Sequence, residues 1–121
     1  MFKLGIIKES LEHETVLELV KPYFFSQRIE TVPENEYPIW HVHEYHVPDE
    51  KMEELLHILK DNLKLSWYIH AFSESKLHVV LRGKYFTVSL HRDDTWDEMI
   101  QYGVEIANVE RYYLEDVPLH I

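Results

Sequence analysis

The chain has no cysteine, and only three glycines in 121 residues. Without cysteine there can be neither a disulfide framework nor a thiolate metal site, and the composition fits a reducing, cytoplasmic setting. No nucleophile elbow, phosphate loop or dinucleotide fingerprint is present. No segment approaches the roughly 20 apolar residues that span a bilayer. The apolar run within Met1–Glu9 is too short for a signal peptide. Basic residues are scarce, 12 against 22 acidic ones, for a net charge of -10. The deficit is steepest in residues 1–54, which hold 12 acids and 5 bases. Each phosphate contact needs a basic partner, so nucleic acid and anionic lipid are disfavoured. A basic protein partner, bound as an acidic inhibitor binds its target, stays compatible with this charge. The plainer reading is a charge that keeps the chain in solution.

Hydrophobic residues make up 45% of the chain, enough for a core and against disorder. Nine histidines are present, and three of them fall in Trp40-His41-Val42-His43-Glu44-Tyr45-His46, between Pro38 and Pro48. Residues 39–47 predict a strand, as do residues 2–8, and residues 24–32 read as extended. Ser10 is placed to cap a helix over 11–21, which Pro22 stops. Met52, Leu55, Leu56, Leu59 and Leu63 form one apolar stripe of a helix over 49–62. Residues 67–72, 77–82 and 85–91 predict three more strands, the last two joined by a tight hairpin at Gly83-Lys84. Thr95-Trp96-Asp97-Glu98 has the pattern of a capping box for a helix to about Asn108. Within that helix Gly103 signals close packing against the sheet. A final strand is predicted in 111–117.

This order predicts an α+β fold with helices on one face of a mainly antiparallel sheet. Residues 37–117 resemble a ferredoxin-like β-α-β-β-α-β order with one additional strand. Residues 1–36 form a strand-helix-strand extension of the same domain.

Side chains alternate along strands, so each predicted strand divides by parity. One set holds Trp40, Val42, Trp67, Ile69, Ala71, Leu77, Val79 and Leu81, and belongs under the helices. The other holds His41, His43, Tyr45, Tyr68, His70, Phe72, His78, Arg82 and Tyr85, and forms a polar-aromatic face. Residues with an apolar body and a polar tip suit a half-wet partner, so this face predicts a homodimer or protein interface. The alternative is a small-molecule site, with His43, His70 or His78 as general acid or base and with Tyr45 and Arg82 orienting a ligand. A weaker alternative is a metal held by His41 and His43 with His70 or His78, since an i, i+2 pair projects from one side of a strand. Hydrogen-bonded or solvated rings are the simpler reading of that pair, and no cofactor is predicted.

Overall fold

The computed structural model describes residues 1–121. The chain is a small α+β protein with a six-stranded antiparallel sheet. The strands are β1 (Phe2–Ile7), β2 (Phe24–Thr31), β3 (Ile39–Val47), β4 (Ile69–Phe72), β5 (Leu77–Leu81) and β6 (Lys84–Val88). They lie in the order β2-β3-β1-β4-β5-β6. The helices are α1 (Leu17–Val20), α2 (Asp49–Lys60), α3 (Asp97–Glu105) and α4 (Arg111–Leu114).

Residues 1–36 are not peripheral to this sheet. β1 is an interior strand, paired with β3 on one side and β4 on the other. β3, α2 and β4 form a split β-α-β unit with β1 between its two parallel strands. The ferredoxin-like order is not found in residues 37–117. β3 and β4 are separated by β1, and the segment expected to close the sheet is the short helix α4.

Helices cover both faces of the sheet, which corrects the one-face expectation. Phe2, Leu4 and Ile6 of β1 share a face with Tyr45 and Val47 of β3, Ile69 and Ala71 of β4, and Val80 of β5. The apolar stripe of α2 packs there through Met52, Leu55, Leu56 and Leu59, joined by Leu11, Val16 and Val20 from the segment after β1. Each such side chain contributes about 1.5–3 kcal/mol over remaining exposed. Leu77, Val79 and Leu81 of β5 point to the other side. They pack with Val88, Trp96, Met99, Ile100 and Leu114 beneath α3 and α4.

The parity division therefore holds in β3, β5 and β6 and inverts in β4. Phe72 lies directly opposite Leu77, and Ala71 opposite His78. Directly paired residues share a face, so Phe72 goes with Leu77 and Ala71 with His78. β5 is buried at all five positions.

Local signals were realised unevenly. The continuous helix expected over 11–21 does not form, and only its four residues Leu17–Val20 are α-helical. Short 3-10 turns at Lys8–Ser10, Glu14–Val16 and Lys21–Tyr23 bracket α1 instead. Ser10 is buried, and its hydroxyl donates to the Ile7 carbonyl rather than capping a helix. The capping box is also displaced. Asp93 is the capping residue, accepting from the Thr95 amide at 2.9 Å.

Gly103 is closely packed, but chiefly against Leu114 of α4 rather than against the sheet. A Cβ there would lie 2.2 Å from Leu114 Cδ1 and 3.4 Å from Leu81 Cδ1. Gly103→Ala is expected to destabilise the chain by about 1–3 kcal/mol through overpacking of α3 against α4. Urea denaturation should show a lower midpoint with an unchanged slope. An unaltered midpoint would mean that this packing yields freely.

Candidate functional site

The α3 face is filled over β5 and β6 but left open over β1 and β3. A cleft of about 390 Å³ occupies the open half. Gly5 and Ile7 of β1, Trp40 and Val42 of β3, and Arg28 and Glu30 of β2 contribute to it. Its rim comes from Asn35–Tyr37, from Leu65–Tyr68, and from Val109, Tyr113 and the Pro118–Ile121 tail.

The strand lengths explain the opening. β1 ends at Ile7, opposite Val42, while β3 continues to Trp40 and Ile39. Across the gap, Trp67 and Tyr68 precede β4. Trp40 and Trp67 meet there with ring centroids 5.1 Å apart at 61°, and Tyr37 stands edge-on to Trp67 at 6.0 Å. Lys64 fixes Tyr37 by donating to its hydroxyl at 3.0 Å, with the ammonium 4.4 Å from the ring centroid. Ser66 and Asn108 both have positive φ, 76° and 59°, and the Asn108 amide donates to the Ser66 hydroxyl at 2.8 Å. Left-handed non-glycine residues cost free energy and concentrate at functional sites.

Two polar groups belong to residues that line the cleft. The Trp40 ring N–H is buried without a hydrogen-bond partner. Such a group carries an uncompensated desolvation cost. The second is His70. Its Nε2–H donates to the His120 carbonyl at 3.0 Å, and its ring stacks on Phe72 at 5.8 Å and 19°. Desolvation, only partly offset by the His120 bond, pushes its pKa down to about 4. The ring is therefore neutral at pH 7, and with the proton on Nε2 its Nδ1 is left as an acceptor. A group of that pKa is a weak base, better suited to accepting a hydrogen bond than to removing a proton. Glu30 is committed to Arg28, whose Nε donates to it at 2.9 Å.

The nine residues expected on one face are divided. His41, His43, Tyr45, His78 and Tyr85 lie on the α2 face; Tyr68, His70 and Phe72 lie on the α3 face. Arg82 sits in the β5–β6 turn and pairs with Glu12. The α2-face members are largely consumed by structure. Tyr45 is buried, which raises its hydroxyl to about 12. His78 is only 6% exposed, bonds the Thr87 hydroxyl at 2.8 Å and packs on Phe2. Tyr85 stands edge-on to His57 at 5.3 Å. The His41 amide donates to Glu9, and its Nδ1 lies 2.7 Å from the same carboxylate. Burial works to raise the Glu9 pKa, but these His41 bonds outweigh it and hold the carboxyl low. His43 Nδ1 lies 2.9 Å from the Tyr45 hydroxyl, and burial, with His41 and Lys8 nearby, lowers its pKa. No three His, Cys, Asp or Glu side chains are grouped to hold a metal. No helix is long and apolar enough to cross a membrane.

Only Tyr68 and His70 of the expected residues line the cleft. Trp40 and Trp67 are expected under the helices, and Arg28 and Glu30 only as members of the extended segment 24–32, so none of the four is expected in a site. A sequence signal for the cleft does exist. Tyr37, Trp40, Trp67 and Tyr68 flank a proline-bounded loop and a strand start, where bulky rings have no neighbouring strand to bury them.

His70 and His78 have folded pKa values of about 4, against an ordinary value of 6.5. In both, burial is the main cause. The unfolded chain therefore binds protons more readily than the folded one across this interval, and stability falls as pH drops from about 6.5 to about 4. His78→Phe should remove about 3 kcal/mol of that loss, read as a flatter plot of unfolding free energy against pH. An unchanged slope would show that His78 is protonated within the fold. Trp40→Phe deletes the orphaned N–H, and thermal unfolding should show a stability equal to or about 1 kcal/mol above the parent. A large loss would mean that this N–H is bonded after all.

Comparison with protein-family models, with curated proteins and with solved structures gives no match for this chain.

Proposed function

We infer that the chain is a binding protein for a flat, largely apolar small molecule carrying one hydrogen-bond donor. The observation that carries this reading is the cleft itself, in which an aromatic wall and a neutral His70 acceptor meet on the open half of the α3 face. Its volume falls in the range of about 300–1,000 Å³ usual for small-molecule sites, and such sites pair apolar walls with a few fixed polar groups.

The chemistry favours binding over catalysis. Trp67 and Tyr68 offer aromatic surface with little rotamer freedom to lose. Arg28 is neutralised by Glu30, so the cleft presents no free cation to select an anion. A neutral aromatic such as an indole or benzimidazole ring satisfies both features. Its ring would lie on the aromatic wall and its N–H would donate to Nδ1 of His70.

Indole and N-methylindole are the direct probes, because they differ in the donor. Titration followed by amide and indole N–H NMR should shift the Trp40 and Trp67 signals and leave Trp96 unmoved. Trp96 is buried beneath α3 and donates to the Ser89 carbonyl at 2.8 Å. Indole should bind up to about tenfold more tightly than N-methylindole, and His70→Phe should abolish the difference. If neither probe moves the Trp40 and Trp67 signals at millimolar concentration, the reading fails.

A further inference from the structure

We propose that two copies of the chain join through the free edge of β2, in antiparallel register about a two-fold axis at Ile29, to form a continuous twelve-stranded sheet. β2 is eight residues long, lies at the sheet edge and is exposed along nearly its whole length. It has neither lysine nor proline, and its two charges, Arg28 and Glu30, are of opposite sign, so they do not repel a second copy as a row of like charges would. Its one irregularity is the bulge between Phe24 and Ser26, at one end. The opposite edge of the sheet, β6, has only five residues and begins at Lys84.

The hydrogen-bonding phase of β2 sets the register. The Val32 amide donates to the Pro38 carbonyl at 2.8 Å, directly across from it. Hydrogen-bonded and non-bonded pairs alternate along antiparallel strands. Glu30 opposite Trp40 and Arg28 opposite Val42 are therefore bonded pairs that turn their amides toward β3. Gln27, Ile29 and Thr31 turn their N–H and C=O groups away from the sheet.

A second β2 run antiparallel, with Ile29 opposite Ile29, places Gln27 of each copy opposite Thr31 of the other. All three outward residues then pair, and the bulge stays outside the paired segment. Centring the axis on Gln27 would instead run the pairing through the bulge.

The same register settles the side chains. Arg28 of each copy falls directly opposite Glu30 of the other, giving two opposite-charge pairs on the α3 face. Opposite charges in such positions stabilise, and like charges destabilise. On the α2 face the two Ile29 side chains meet at the axis. Ile29 is 65% exposed in the single chain, and the contact at the axis would remove much of that apolar surface from water. The strand is thus complementary to itself in backbone phase, charge and apolar contact, which selects a second copy over an unrelated peptide.

Sedimentation equilibrium across a concentration series is the test, with backbone amide exchange alongside it. The wild-type chain should dimerise reversibly, and the Gln27, Ile29 and Thr31 amides should become protected as concentration rises. Arg28→Glu and Glu30→Arg should each weaken the dimer by roughly tenfold or more, because each sets like charges opposite one another at both symmetric positions. An equimolar mixture of the two variants should form mixed dimers, and the double variant R28E/E30R should regain dimerisation on its own. Both side chains are solvated at the edge, so circular dichroism should show intact folding in every variant. The proposal is overturned by a wild-type chain that stays monomeric at millimolar concentration. A dimer indifferent to both single variants, or one that leaves those three amides unprotected, overturns it equally.

Discussion

The arrangement depends on the burial of β1. Phe2, Leu4 and Ile6 are almost wholly removed from solvent, and the strand is hydrogen-bonded along both edges. Those three side chains fix the α2 layer, and β5, buried at all five positions, is the strand that requires a layer on the other face as well. The chain has one long amphipathic helix, α2, which covers one face with help from the irregular segment around Leu11, Val16 and Val20. The other face receives α3, the single turn of α4 and a tail, which suffice for β5 and β6 and no more. The cleft over β1 and β3 follows from that shortage. Gly5 has the same origin, since a Cβ there would lie 2.8 Å from Ile121 and 3.3 Å from His70, so its absence lets tail and ring approach β1.

Much of this was legible in the residues. The strand of Ile39–Val47 between two prolines, the stripe of α2, and the hairpin carrying Gly83 all rest on local chemistry that tertiary contacts reinforce. Gly83 has φ of +88°, and its amide donates to the Lys60 carbonyl, tying the hairpin to the end of α2. The inverted phase of β4 and the one-face expectation share one cause. Treating the sheet as covered on one side forced every apolar row onto a single face. Leu77-His78-Val79-Val80-Leu81 is apolar at nearly every position, which is how a strand buried on both faces reads. Taken so, it would have released β4 to its true phase. The interior place of β1 was not legible, because strand order is fixed by long-range pairing and not by any pattern within residues 2–7. The α1 region failed for a different reason. Ser10 satisfies the Ile7 carbonyl, and Leu11 bridges to Leu63, so local bonds outcompete a continuous helix.

The histidines illustrate how context sorts one residue type. His41 is held by a carboxylate, His43 by a tyrosine hydroxyl, and His78 is a core residue satisfied by Thr87. Only His70 combines low basicity, a fixed tautomer and a place on the cleft wall. The strand that concentrates the histidines is therefore mostly structural on its α2 face. Its contribution to the cleft is Trp40, the residue before His41, pointing the other way.

The most direct test of this account is a crystal structure of the chain soaked with indole. One indole should lie against the aromatic wall beside Trp67, within hydrogen-bond distance of Nδ1 of His70, with Trp40 and Tyr37 little displaced. Indole bound only elsewhere on the surface, or a cleft filled by the rearranged side chains of Trp40 and Trp67, would contradict it.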